Sequence, residues 1–312
     1  MSFELLHPRE QIVSIMKRIY VGEMTTLSGG NLSILDDEGD LWITPAGLDK
    51  GKLQPSDIVC ILANGTKVGS HSPSSEYPFH KAIYKERPDL KAVVHAHPPA
   101  LVAFSLSGTI PDTRIIPQAN HVCGPIKYAP YALPGSEQLG KNIAQTFAEG
   151  VNIVILENHG VACGGGNLLE AYQRMETLDF CANTLINAKR IGIINTLSDD
   201  QLELFRERQH LLPEFELPYH ICKELELRQM IVEIVHRACD RKLMISTEGV
   251  VSARVDENSF LITPTGRDRR SLEIENIVLV RQQKREKGKT PSRSVNLHQA
   301  LYDQHPDINC II

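Results

Sequence analysis

Ile12, Val13, Ile15, Met16 and Ile19 recur at helical spacing, which predicts a helix over residues 8–22. The period then shortens. Leu27-Ser28-Gly29-Gly30-Asn31 reads as a loop, residues 32–35 as a strand, Asp36-Asp37-Glu38-Gly39 as a hairpin turn and residues 41–44 as the returning strand. Another strand is predicted over 58–63. Pro73 and the small polar residues after it open a predicted helix over 74–86. Residues 91–97 and 151–157 are short apolar runs read as buried strands, the second leading into Asn158-His159-Gly160. A long helix is predicted over 168–188, packing through its Leu, Met and Phe positions. Strands alternating with helices define an α/β or α+β fold.

The pattern also repeats. Thr44-Pro45-Ala46-Gly47 answers to Thr263-Pro264-Thr265-Gly266, an offset of 219. The same offset carries Ile12-Val13 to Ile231-Val232, Arg18 to Arg237 and Ile58-Val59 to Ile277-Val278. With one loop residue removed, His80 falls on His298 and Pro88-Asp89 on Pro306-Asp307. Such agreement points to a tandem duplication. The expected domains are 1–212 and 223–312, joined through a charged, proline-punctuated linker over 200–222. The second copy is incomplete: Ile311-Ile312 falls on Val93-Val94, one residue short of the counterpart of His95. A core strand at that point would leave half its backbone groups without partners. The expectation is therefore a fragment of a longer polypeptide.

Composition narrows the function. With 42% hydrophobic and 23% charged residues the chain has the material for a core. A net charge of −5 argues against nucleic acid or an anionic membrane as partner, so any anionic ligand needs a local pocket. Seven dispersed cysteines with no CxxC pair suggest a reducing compartment. There is no charged-then-apolar leader, and no apolar run approaches the roughly 20 residues of a membrane helix. The expectation is a soluble, cytoplasmic protein.

His95-Ala96-His97 closes an apolar strand, and on a strand residues two apart share a face. Two imidazoles on one face suit a single metal ion. His159 also stands where an apolar strand ends, and neighbouring strand ends could bring it beside the pair. Three neutral imidazoles with an open position describe a catalytic zinc site, and other divalent first-row ions tolerate the same ligands. The plainer reading is chance: HxH alone is a weak signal, and a spacing of 62 residues to His159 is not diagnostic. His7, His71, His121, His210 and His220 are taken as surface or core residues. His80 persists as His298 in the copy that has lost the acid described below, so a structural role is expected for it.

Six motifs occur in order: SGGN at 28–31, TPAG at 44–47, SSE at 74–76, HAHP at 95–98, APY at 129–131 and NHG at 158–160. Together they resemble the class II aldolase/adducin family, closest in pattern to its L-fuculose-1-phosphate aldolases, over about residues 8–195 and in part 227–312. The resemblance implies a three-layer α/β/α domain with a mainly antiparallel central sheet. It implies Zn2+ or another divalent ion, one per chain, on His95, His97 and His159. Glu76 would be the fourth ligand and the catalytic acid/base. Ser28, Gly30, Asn31, Ala46, Gly47, Ser74 and Ser75 would cradle a phosphate, since glycines and a helix start let N–H groups converge on an anion. The implied partner is a small sugar phosphate and the implied assembly a homo-oligomer. The implied reaction cleaves a ketose 1-phosphate to dihydroxyacetone phosphate and a hydroxyaldehyde through a metal-stabilised enediolate. Plainer readings stand beside these: an acid at a helix start is favoured by the dipole alone, and SGGN or TPAG alone is an ordinary turn.

The sequence departs from the family in places. Fuculose-type enzymes carry Thr where Ala46 stands, and a tyrosine where the alignment puts Ile116; Tyr128, Tyr131 and His121 lie nearby. In the second copy Asn31 becomes Val250 and Glu76 becomes Ser294, which reads as a structural or regulatory lobe without catalysis. The epimerase relatives carry Asp at the Glu76 position, so Glu76 argues against them. Decarboxylase and dehydratase relatives keep an acid and the histidines and remain alternatives. An adducin-like binding module is the other class, although its histidines should be broken and these are intact.

Overall fold

The first helical stretch forms α1 (Pro8–Val21). His7 accepts from the Arg9 amide, Glu10 reaches back to the His7 amide, and Pro8 opens the first turn. Ile12, Ile15, Met16 and Ile19 are its buried stripe. This is a computed structural model that describes residues 3–207 and 212–312, and they divide into two compact units, 1–198 and 199–312.

In the first unit the strands are β1 (Asn31–Leu35), β2 (Leu41–Ile43), β3 (Val59–Ile61), β4 (Lys67–Val68), β5 (Ala92–Ala96), β6 (Ile126–Ala129), β7 (Ile153–Leu156) and β8 (Gly160–Gly165). Between and after them run α2 (Tyr77–Glu86), α3 (Pro99–Ser107), α4 (Pro117–Cys123), α5 (Glu137–Ala148) and α6 (Leu168–Ile191). The sheet order is β4-β3-β2-β1-β5-β8-β7-β6, antiparallel throughout except for the β6–β7 pair. β5 and its neighbours are buried on both faces. One face packs on α1, α3, α4 and α6 through residues such as Ile15, Leu101 and Met175; the other packs on α2 and α5 through Phe79, Ile83, Ile143 and Phe147. The result is a three-layer α/β/α sandwich around a mainly antiparallel sheet.

The second unit contains α7 (Asp199–Glu207), β9 (Glu214–Phe215), α8 (Cys222–Asp240), β10 (Ser252–Asp256), β11 (Ser259–Ile262), β12 (Val278–Arg281), β13 (Lys284–Glu286), α9 (Val295–Gln304) and β14 (Cys310–Ile311). Its sheet runs β14-β10-β11-β12-β13-β9. The duplication is visible in detail. The Pro45–Pro73 bridge of the first unit recurs as Pro264–Pro291, and the Thr44 and Thr263 side chains accept from Leu32 and Val251. β5 lies between β1 and β8, whereas its counterpart β14 forms the sheet edge beside β10. The division at 198/199 falls before the expected linker over 200–222. Part of that stretch is helical, and β9 joins the second sheet through a parallel pairing with β13. Residues 208–211 of it, His210 included, lie outside the described residues. No helix among the described residues is long and apolar enough to cross a membrane.

One buried charge braces the loops of the first unit. Lys50 is 2% exposed; its Nζ donates to the Pro45 carbonyl over 2.8 Å and its amide to Leu27. Burial pushes this ammonium down from 10.5 to about 8. Between those two pH values the unfolded chain still holds a proton that the folded chain has released. Stability should therefore rise with pH across that window, by on the order of 3 kcal/mol from this group. Lys50→Met is expected to be most stabilised relative to the parent below pH 8, with the gap in Tm closing toward pH 10. Parallel Tm–pH curves would show that Lys50 does not carry the cost.

Candidate metal centre and anion cradle

Antiparallel pairing is what assembles the histidines. β5 ends where β8 begins, with Ala96 opposite Val161 and His95 opposite Ala162, so the turn carrying His159 arrives beside His95-Ala96-His97. Ring centroids are 4.7 Å apart for His95 and His97, 4.9 Å for His95 and His159 and 5.1 Å for His97 and His159. The turn is built for this approach. Asn158 is left-handed at φ 53°, and a Cβ on Gly160 would lie 2.7 Å from the Ala96 carbonyl and 2.8 Å from His97 Cδ2. Gly30 (φ +69°) is as constrained, since a Cβ there would meet the His95 carbonyl at 2.8 Å.

Glu76 stands at the start of α2 and closes the group. Its Oε2 lies 3.2 Å from His95 Nε2 and its Oε1 3.4 Å from His159 Nε2. His95 Nδ1 lies 2.9 Å from the Val161 carbonyl, so that nitrogen carries the hydrogen and Nε2 is free to act as a ligand. A lone pair on Nε2 facing a carboxylate oxygen at 3.2 Å needs positive charge between them, and a proton or a metal ion meets that need. Burial pushes the Glu76 carboxyl up, but His95, Asn31 and His159 outweigh it and hold it well below the usual carboxylate range. Burial lowers His95 too, yet Glu76 overcomes it and the net direction is upward. His97 is pushed by burial down to about 3 and His159 to about 4, so both are neutral, ligand-ready imidazoles near pH 7.

The donor set fits a divalent ion. One nitrogen from each of His95, His97 and His159 lies within 4.8 Å of the others, and His97 Nε2 is buried without a hydrogen-bond partner. Zinc holds nitrogens at about 2.0–2.1 Å, so its ligands lie no more than ~4.2 Å apart. Side-chain shifts of under about an ångström would close the sphere.

Of the residues expected to cradle phosphate, Gly30, Asn31 and Ser74 lie beside this group. The 44–47 turn and the start of α2 are joined by the Pro45–Pro73 bridge, the Ser74 amide to the Thr44 carbonyl and the Ala46 amide to the Ser72 carbonyl. The Ala46 N–H is therefore spent on protein. Gly47, at φ +71° with open space beside it, is exposed, as are Ser28 and Ser75. Ser74 is buried and its Oγ lies 3.3 Å from the Glu76 amide. Asn31 is engaged at both ends of its carboxamide, Nδ2 by Glu76 and Oδ1 by His80. Ile116 caps α4, and Tyr128 donates to the Ser105 carbonyl, which also accepts from the Asn158 amide. Sequence reasoning missed the Ser33–His80–Tyr84 cluster and the Val161 carbonyl. The recurrence of His80 as His298 was the signal for the first; nothing in the sequence marks the second.

A three-layer α/β/α unit with three imidazoles and a carboxylate at a strand-end cluster defines the class to which the chain's relatives also point. The chain belongs to the family described as the class II aldolase and adducin N-terminal domain, whose model matches residues 10–186 and again 229–312. A 5-deoxy-D-ribulose 1-phosphate aldolase from Bacillus thuringiensis is 33% identical over 202 residues, covering 62% of this chain and 92% of the relative. A 3-oxo-tetronate 4-phosphate decarboxylase from Pectobacterium atrosepticum is 32% identical over 200 residues, covering 63% and 91%. A solved L-fuculose 1-phosphate aldolase superposes with a TM-score of 0.57 at 33% identity, covering 64% of this chain and 95% of that one.

Proposed function

We propose that the first unit is a divalent-metal-dependent aldolase that cleaves a ketose 1-phosphate to dihydroxyacetone phosphate and a hydroxyaldehyde. The observation that carries this reading is Glu76, placed 3.2 and 3.4 Å from two of three clustered imidazoles. His95, His97 and His159 would hold Zn2+ or a similar ion, with Glu76 as a fourth donor. When bound there, such an ion would supply Lewis acidity that stabilises charge developing beside a carbonyl as the carbon–carbon bond breaks. Glu76, buried to 8% exposure, would give or take the proton at that carbon once substrate frees it. Gly47 and Ser75, exposed at the 44–47 turn and the α2 start, offer amide and hydroxyl groups to the phosphate. The second unit, with Val250 and Ser294 in place of Asn31 and Glu76, serves as a non-catalytic lobe. A cytoplasmic homo-oligomer is the setting this reading expects.

The decarboxylase relative favours a second reading, in which the same centre releases carbon dioxide from a 3-oxo sugar-acid phosphate. Both reactions leave charge beside a carbonyl, so the metal and Glu76 serve either. A panel of ketose 1-phosphates and 3-oxo acid phosphates, read for aldehyde and for carbon dioxide, separates them. Aldehyde release, abolished by chelator and restored by Zn2+, Mn2+ or Co2+, is the expected result. Carbon dioxide without aldehyde would replace it with the second reading. Neither product, from a chain without tightly bound metal, would make this an adducin-like binding module.

A further inference from the structure

Behind Glu76 a chain of hydrogen bonds runs back into the core. The Tyr84 hydroxyl and Ser33 Oγ are 2.7 Å apart, and Ser33 Oγ and His80 Nδ1 are 2.7 Å apart. His80 Nε2 meets Asn31 Oδ1, and Asn31 Nδ2 donates to Glu76 Oε2 over 2.6 Å. Ser33 and His80 are fully buried and Asn31 is 3% exposed. Donor chemistry fixes the direction of every link. A carboxamide oxygen only accepts, so His80 Nε2 carries the hydrogen and its Nδ1 accepts from the Ser33 hydroxyl. The Tyr84 hydroxyl then donates to Ser33, at its Oγ or at its carbonyl 3.1 Å away. The His80 ring is neutral in this arrangement, as its burial also requires. Flipping the Asn31 amide would set oxygen against oxygen at Glu76, and that clash fixes its orientation.

We propose that His80 is a positioning residue that acts through the Asn31 carboxamide to hold the Glu76 carboxylate between His95 and His159. This rests on the reading of Glu76 as metal ligand and acid/base, and it gives Asn31 a task in addition to any contact with phosphate. The duplication supplies the contrast. Ser252 Oγ lies 2.7 Å from His298 Nδ1 and 2.7 Å from the Tyr302 hydroxyl, reproducing the cluster of the first unit. There the chain of bonds has nowhere to go, because Val250 and Ser294 replace the amide and the acid. Bracing a helix on a strand needs only the Ser–His–Tyr cluster, and both copies have it. Only the first extends it to a carboxylate.

Co2+ is the probe, because its visible absorption reports the number and geometry of its ligands. The 312-residue parent, Asn31→Val, His80→Ala, His80→Gln and His298→Ala would be stripped with chelator and titrated with Co2+, with Tm measured alongside. Asn31→Val is expected to shift the absorption bands and weaken Co2+ binding by about 10–100-fold, the usual loss when a ligand's supporting partner is removed. His80→Ala should move in the same direction, and His80→Gln, whose amide can still donate toward Asn31, should recover part of the loss. His298→Ala should lower Tm yet leave spectrum and affinity at parent values. Parent-like Co2+ binding in Asn31→Val overturns the proposal, as do equal Co2+ effects of His80→Ala and His298→Ala. Should the parent turn over a ketose phosphate, Asn31→Val is expected to lose kcat with KM within about twofold. A raised KM with intact kcat would return Asn31 to the phosphate. If the parent cleaves no sugar phosphate, the aldolase reading fails while the Co2+ comparison still decides this one.

Discussion

Glu76→Gln is expected to fold normally, keep about one divalent ion per chain and lose roughly 1,000-fold in turnover. Glutamine preserves the shape of the side chain, and its amide oxygen can still accept the Asn31 Nδ2 hydrogen bond that now spans 2.6 Å. What it cannot do is exchange a proton. A positioned acid/base contributes about 10²–10⁴ in rate, and a thousandfold corresponds to about 4 kcal/mol of barrier. The three imidazoles remain to hold the ion more weakly, so metal content measured with excess divalent ion should survive where catalysis does not. Turnover is measured by aldehyde release at saturating substrate, with metal counted on the same sample. An unchanged kcat removes Glu76 from the chemistry and leaves it as a ligand alone.

How far the sequence reached depended on how local each determinant was. The α1 stripe, the β1–β2 hairpin and α6 are written in consecutive residues, and their periodicity shows. β8 is not: Gly160-Val161-Ala162-Cys163-Gly164-Gly165 has little strand propensity and no alternation. It is a strand because β5 on one side and β7 on the other satisfy its backbone, and because its glycines fit where a Cβ would strike Leu90 or Ala171. α3 shows no dominant period, whereas α5 carries Leu139, Ile143, Ala144 and Phe147 at helical spacing and was legible in the sequence.

The site was legible as a set of residues but not as a set of bonds. HxH on a strand end follows from two-residue alternation, and His159 could be placed near it only by knowing that adjacent strand ends meet. Asn31 shows the limit. The SGGN motif implied a phosphate contact, but it could not show that β1 pairs with β5 at Asn31–His95 and carries the side chain to Glu76 and His80. The duplication offered a clue the motif did not. Asn31 and Glu76 vary together between the copies while His80 and His298 persist, a sign that the amide and the acid work as one unit.

His97→Ala should abolish stable metal binding without unfolding the chain. The backbone of His97 keeps its place through its amide, which donates to the Met24 carbonyl over 3.1 Å whatever the side chain. The imidazole is a different matter. Near pH 7 it is neutral, since burial holds it near 3, so protons do not compete with the ion and its whole donor strength is available. Losing a partner that merely orients a ligand costs about 10–100-fold in metal affinity, so losing the ligand itself should cost on the order of a hundredfold or more. Dialysed His97→Ala is expected to retain less than about a tenth of an ion per chain, at a Tm close to that of metal-free parent. The space vacated is bounded by Gly160 and Gly29, neither of which can fill it, so free imidazole should enter and restore part of the metal content. Full occupancy in this variant without added imidazole would mean that the ion, if one is held, does not sit on these three rings.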